Sequence, residues 1–238
     1  MSKSVELESA FMKISLAFDV HGTLVDASSI VEPMEVFMGE QAEAVFETWK
    51  YKQREYAFRR RLMEDDVDFS VCSKQALDFA CMHHKVAITD KEKDEIIKFT
   101  TALPAYPEVL NALKKLKNLG YRLFAFSNGP QDEVNELLKK ARLASQFDNI
   151  YSVQGTKTFK PDPEVYENFL RHNHTGHQFT WFISGNSFDI IGAKNVNLKV
   201  IWVQRSPDIV MDPWGISPDH IVTDLSGLVE FFEKQLIK

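Results

Sequence analysis

Cysteine is nearly absent from this chain. Its 238 residues include two, Cys72 and Cys81, too few for the disulfide framework of a small secreted domain. Both read as small buried hydrophobes, and a reducing, cytoplasmic location is the expectation. Long apolar runs are also missing: none approaches the 18 or so residues that a membrane span needs. Met1 to Met12 carries Glu6 and Glu8 and no apolar stretch, unlike a signal peptide. Positive charge is not in excess, since 28 Lys+Arg face 34 Asp+Glu for a net charge of -6. Neither a nucleic-acid backbone nor a membrane surface is therefore an expected partner. What is present is ordinary for a globular protein: 44% hydrophobic and 26% charged residues, enough to bury a core. At roughly 150 residues per domain, the length suits one large domain or a core with an insert.

Four short apolar runs read as buried strands: Ile14 to Phe18, Tyr121 to Phe126, Phe179 to Ile183 and Lys199 to Val203, with a weaker fifth at His220 to Val222. Between them, Val109, Leu110, Leu113 and Leu116 recur at helical spacing before Gly120, and Val134, Leu137, Leu138 and Ala141 do the same. Asp224 can cap a last helix carrying Leu228, Phe231 and Phe232. Strands alternating with helices predict an α/β fold, a doubly wound and mostly parallel sheet. The alternation breaks once. From Ala27 to Ala102 there are only helical patterns, one through Ala44, Val45, Trp49, Tyr56 and Phe58, another through Leu77, Phe79, Ala80 and Met82. Two prolines in Leu103 to Pro107 mark a return linker. The expected division is a core of residues 1–26 and 103–238, with residues 27–102 inserted as a helical cap after the first strand.

Three of the strands end alike, in a polar residue followed by a tight turn: Asp19, Ser127 and Ser184. In a doubly wound sheet the carboxyl ends of the strands border the ligand crevice, so these ends should converge there. Asp19-Val20-His21-Gly22-Thr23 sets a carboxylate before a glycine turn whose backbone N–H groups can face an anion. Taken alone, such an Asp is a turn residue. The stretch Asp19 to Asp26 nevertheless resembles the first motif of the haloacid dehalogenase (HAD) superfamily, whose nucleophile is the first Asp. Ser127-Asn128-Gly129, Lys160-Pro161-Asp162-Pro163 and Ser184-Gly185-Asn186-Ser187-Phe188-Asp189 resemble the other three motifs, in the same order.

Two positions separate the branches of that superfamily. Its phosphatases carry a second Asp two residues after the nucleophile and an acid at the start of the fourth motif; here these are His21 and Asn186. An amide in place of a carboxylate weakens a Mg²⁺ site. The chain is similar instead to the L-2-haloacid dehalogenases (type II), through Trp49 to Tyr56 and Phe69 in the insert, Lys160 with Tyr166, and Ser184-x-Asn186-x-x-Asp189. That resemblance implies a small-molecule (S)-2-haloacid substrate and two steps without metal or cofactor. Asp19 displaces halide from C2 to form an ester, and water then hydrolyses the ester, oriented by Asp189 with Asn186 and Lys160. Ser184 joins that group. Thr23 and Ser127 would hold the substrate carboxylate and Asp19. Val20, His21 and Tyr166 would contact substrate, Asn128 and Lys50 would face the halide, and Phe69 and Phe188 would form apolar walls. The family places Arg where this chain has Lys50, and commonly Tyr where it has His21. Homodimers are frequent in the family, so a homodimer is expected.

Two other readings compete: a Mg²⁺-dependent phosphatase with His21 as acid, and a catalytically impaired binding or regulatory protein on the same fold. His172, His174 and His177 look like metal ligands but lie in a polar stretch after a helix, as do His83 and His84 elsewhere, and a solvated loop explains them. Lys50, Lys52, Arg54 and Arg59 to Arg61 form a basic run, answered at once by Glu64, Asp65, Asp66 and Asp68. Self-paired helix charges are expected, with part of the run facing substrate.

Overall fold

The computed structural model describes residues 13–236; Met1 to Met12, read above as unlike a signal peptide, lies outside the described residues. Six strands form one sheet: β1 (Ser15–Asp19), β2 (Arg122–Ser127), β3 (Asn149–Ser152), β4 (Thr180–Ser184), β5 (Lys199–Val203) and β6 (His220–Val222). Their order is β3-β2-β1-β4-β5-β6, and every neighbouring pair is parallel. Alternate side chains of a strand point to opposite faces, and here both faces are covered. Leu16, Phe18, Leu123, Ala125 and Ile183 join one buried cluster; Ala17, Phe124, Phe126 and Phe182 join the other. This explains why the strands read as continuous apolar runs and not as alternating ones.

Residues 27–102, which follow β1, hold four α-helices: α1 (Val31–Met38), α2 (Ala42–Met63), α3 (Phe69–His84) and α4 (Asp90–Phe99). Five follow: α5 (Val109–Asn118), α6 (Gln131–Lys140), α7 (Pro163–His172), α8 (Ser187–Asn195) and α9 (Leu225–Gln235). Helices α5, α6 and α9 bury Leu113, Leu137 and Leu228 in the first cluster, while α7 and α8 bury Phe169 and Ile190 in the second. Helices on both faces make the sheet doubly wound, as expected from the alternation. The sheet's strand order reverses at β1, so the crevice opens at the carboxyl end of that strand.

Residues 27–102 hold helices and no strand. Their α2 and α3 are tied by the Trp49 indole N–H, which donates to the Ser73 carbonyl at 2.9 Å. Helix α4 starts in a capping box between Thr89 and Glu92. The segment leaves and re-enters side by side: the Asp26 N–H donates to the Pro104 carbonyl (2.9 Å) and the Tyr106 N–H to that of Leu24 (3.1 Å).

One expectation needs correction. β3 is a strand that the apolar pattern does not reveal. It has four residues, Asn-Ile-Tyr-Ser, and sits at the sheet edge with half its residues only partly buried, so no apolar run marks it. Asp19, Ser127 and Ser184 are the last residues of β1, β2 and β4, as expected.

Candidate active site

The carboxyl ends of β1, β2 and β4 are adjacent because those strands are neighbours, and this brings Asp19, Ser127 and Ser184 together. The turns after β1 and β4 touch. A Cβ on Gly185 would lie 2.4 Å from the Gly22 carbonyl oxygen, so only glycine fits. The contact is stitched by Thr23, whose hydroxyl accepts from the Gly185 N–H (2.8 Å) and donates to Asp19 Oδ2 (2.8 Å). Asn186 donates its side-chain amide to the same Asp19 Oδ2 (2.9 Å) and to the His21 carbonyl (3.1 Å). Ser184 Oγ accepts from the Asn186 N–H at 3.0 Å, and Ser127 Oγ accepts from Gly129 N–H at 3.1 Å.

At the centre stands Lys160, whose side chain is 2% exposed. Its ammonium donates to Asp19 Oδ1 (2.7 Å), to Asp189 Oδ2 (2.7 Å) and to the Phe126 carbonyl (3.2 Å). Asn128 holds the lysine from the other side, accepting its backbone N–H at 2.9 Å. Asp189 lies in the first turn of α8, where the helix dipole favours an anion. Its other oxygen accepts from the Tyr166 hydroxyl (2.7 Å), and Ser184 Oγ donates to Oδ2 at 3.3 Å.

Burial opposes the charge of Lys160, but Asp189 and Asp19 outweigh it and hold the ammonium above its ordinary value. Burial pushes Asp189 up to about 6, against the pull of Lys160 and with the help of the Asp19 charge. The Tyr166 hydroxyl is raised well above its usual range by burial and by Asp189, so it stays a donor. Burial lowers His21, although Asp19 pulls the other way and Lys160 adds to the fall. His21 is thus neutral at pH 7 and lacks the imidazolium proton that the phosphatase alternative requires. The donor set also suits a divalent cation poorly. An ammonium fills the space between the two carboxylates, an amide replaces a third, and no group of three or more His, Cys, Asp or Glu among the described residues could hold a metal ion.

A cavity of about 190 Å³ lies over Asp19, between the strand ends and helices α2 and α3. Of the residues singled out from the sequence, Asp19, His21, Lys50, Phe69, Ser127, Asn128, Lys160, Asn186 and Phe188 line it. Thr23, Ser184 and Asp189 are fully buried behind that wall. Val20 and Tyr166, expected against substrate, are buried in the core and do not line the cavity. The Tyr166 hydroxyl is occupied by Asp189 and its ring is walled by Phe126 and Phe182; Val20 sits inside the turn, its carbonyl accepting from Leu24 and Val25. Lys50 lines the cavity, but its ammonium is paired with Glu47 at 2.6 Å. Arg54 and Trp49 also line it; the sequence turns part of the basic run towards substrate without singling out Arg54, and the four-residue step from Lys50 to Arg54 on one helix face was the signal that could have done so. The three histidines form no metal-holding group among the described residues: the His177 ring pairs with Glu167 (2.9 Å) and the His172 ring rests against Tyr151. Cys72 and Cys81 are buried free thiols.

A family model described as haloacid dehalogenase-like hydrolase matches residues 16–203. The chain is 30% identical over 218 residues to the (S)-2-haloacid dehalogenase of Pseudomonas sp. (strain YL), covering 92% of this chain and 94% of that enzyme. A crystal structure of a dehalogenase superimposes with a TM-score of 0.88 at 29% identity, covering 92% of this chain and 97% of that one. The L-2-haloacid dehalogenase of Xanthobacter autotrophicus with chloropropionic acid covalently bound shares the fold, with a TM-score of 0.88 at 24% identity over 93% and 99% of the two chains. No helix among the described residues is long and apolar enough to cross a membrane.

Proposed function

This chain belongs to the haloacid dehalogenase-like hydrolase family, and from that premise we propose that it hydrolyses an (S)-2-haloacid to a 2-hydroxyacid and halide through an ester on Asp19. The enzyme is a hydrolase acting on a carbon–halide bond, and its substrate is a small molecule. One observation carries the reading: a buried ammonium 2.7 Å from both Asp19 and Asp189. An ammonium there keeps the nucleophile ionised and does the charge balancing that phosphoryl transfer assigns to Mg²⁺, so no cofactor enters the reaction. The similarity to (S)-2-haloacid dehalogenases supports the substrate class.

The roles follow from the contacts. An Asp19 oxygen attacks C2 in line; the C–O bond forms as the C–halogen bond breaks and the halide leaves with the electron pair. Thr23 and Asn186 hold the other carboxylate oxygen and so set the direction of attack. Ser127 and the backbone amides of the neighbouring turn bind the substrate carboxylate, with Phe69 and Phe188 as apolar walls. Esterification removes the charge from Asp19, which loosens its hold on Lys160 and admits water towards Asp189. Asp189 takes one water proton as the hydroxide adds to the ester carbonyl. The bond from that carbon to the C2 oxygen then breaks, the C2 oxygen leaves with the electron pair and takes the proton back from Asp189, and Asp19 is restored with the water oxygen in its carboxylate. The segment 27–102 acts as a cap over the nucleophile, excluding bulk water during displacement. The same proposal includes a reducing cytoplasmic location and a homodimer.

Isotope labelling tests the ester. In a single turnover in ¹⁸O-water with enzyme in excess, the label is expected in the Asp19 peptide and not in the hydroxyacid. Label in the product during that first turnover would mean direct attack by water and would overturn the reading. Asp19→Asn should release no halide, and wild-type turnover should survive EDTA.

A further inference from the structure

Helix α2 carries six basic side chains between residues 50 and 61. Five have carboxylate partners: Lys50 with Glu47, Lys52 with Glu55, Arg59 with Glu55, Arg60 with Asp65 and Arg61 with Asp162. Arg54 is the exception. Among the described residues its guanidinium makes no hydrogen bond or ion pair; it lies over the Phe188 ring, 5.9 Å from the centroid. It is half-buried and lines the same cavity as Asp19, Lys160 and Asn186. Burial lowers its pKa, although Glu47, Asp212 and Tyr51 pull upward, and an arginine remains charged at any working pH. A partly desolvated cation with unused donors beside a nucleophile is a site that an anion completes.

The identity of that anion follows from the geometry of the donors. The carboxylate next to C2 must lie on the core side, near Ser127, for C2 to reach Asp19, and the halide must leave on the side away from Asp19. Lys50, one turn earlier on the same face, is a compact point charge already paired with Glu47, with no planar fork to match a second carboxylate. Arg54 presents a planar fork of parallel N–H donors, which fits two oxygens of one planar group. We propose that Arg54 is a specificity-determining residue, selecting 2-haloacids whose C2 substituent ends in a second carboxylate. This deepens the dehalogenase reading and rests on it. The bonds made and broken are unchanged, and the product is a 2-hydroxydicarboxylate plus halide.

The test compares 2-chlorosuccinate with 2-chlorobutanoate of the same configuration, on wild type, Arg54→Leu and Arg54→Lys, with circular dichroism as the check on folding. The wild type should prefer the diacid in kcat/KM. In Arg54→Leu the ratio of the two kcat/KM values should fall roughly 10- to 100-fold, mainly through KM, as expected for a charged hydrogen-bonded pair; Arg54→Lys should fall in between. An unchanged ratio overturns the proposal. So does an equal loss of kcat for both acids, which would assign Arg54 to the halide. If wild type releases halide from neither acid, the dehalogenase reading fails, and binding decides the inference separately. Calorimetry with succinate and butyrate should then show a succinate preference that Arg54→Leu removes; equal binding of the two acids, or none, overturns it.

Discussion

Replacing Lys160 by methionine removes the cation and keeps most of the volume, and the structure sets the size of the effect. Asp19 Oδ1 and Asp189 Oδ2 are each 2.7 Å from the lysine nitrogen, so they are at most 5.4 Å apart. Two unit charges at that separation repel by about 3 kcal/mol at an effective dielectric of about 20. Breaking one side of a buried ion pair costs about 3–5 kcal/mol, so a loss of that order is expected at pH 8. Its pH dependence carries the argument. Asp189 has a folded pKa of about 6 with lysine present, and without lysine it rises further. A carboxylate raised in the folded state costs nothing below its unfolded pKa of about 4. The cost grows as pH rises and is complete above the folded pKa. The deficit of Lys160→Met should therefore shrink by about 1–2 kcal/mol between pH 8 and pH 5, since protonation of the dyad relieves the repulsion. Urea unfolding followed by circular dichroism at both pH values measures it, with an unchanged slope as the check on two-state behaviour. Adding Asp189→Asn should recover part of the loss at pH 8. A deficit below about 1 kcal/mol, or one equal at the two pH values, would refute the claim that this lysine balances two ionised carboxylates.

Two further outcomes test the parts around it. Turnover should decline as pH falls through about 6, because the base Asp189 works only when deprotonated. Tyr166→Phe removes a donor that favours its charged form, so the acid limb should move up by about 1–2 pH units; a limb that stays put or moves down contradicts the base assignment. Gly185→Ala sets a Cβ 2.4 Å from backbone that cannot yield cheaply. Thermal melting should show about 1–3 kcal/mol of destabilisation and halide release should fall by at least about tenfold. Wild-type values for both would mean that the two turns need not touch.

Much of this was legible because it is local. Asp19, Ser127 and Ser184 announce themselves as polar ends of apolar strands, and Asn186 with Asp189 as one face of a helix start. Parallel pairing of their strands did the rest. β3 was not legible, because an edge strand with two partly buried residues needs no apolar run. Nor could sequence show that Asp189 and Tyr166 lie behind the cavity wall, since that depends on how α7 and α8 pack against the sheet. The basic run on α2 reads as self-paired, and four of its six members pair within the helix or just beyond it, whereas Arg61 reaches Asp162 at the start of α7 and Arg54 has no carboxylate partner among the described residues.

The scarcities noted first bear on the same division. Few cysteines, no long apolar run and no basic excess already set the class of molecule, and strand–helix alternation set the sheet, because both depend on composition and short-range periodicity. What the tertiary structure alone decided is which charges meet. It brought Lys160 between two carboxylates that are 141 and 29 residues away in sequence, and it left Arg54 facing the cavity with no carboxylate paired to it among the described residues, while its neighbours found theirs. Pairing of charges is a matter of distance in space and of exclusion from water, and neither is written in the order of residues along the chain.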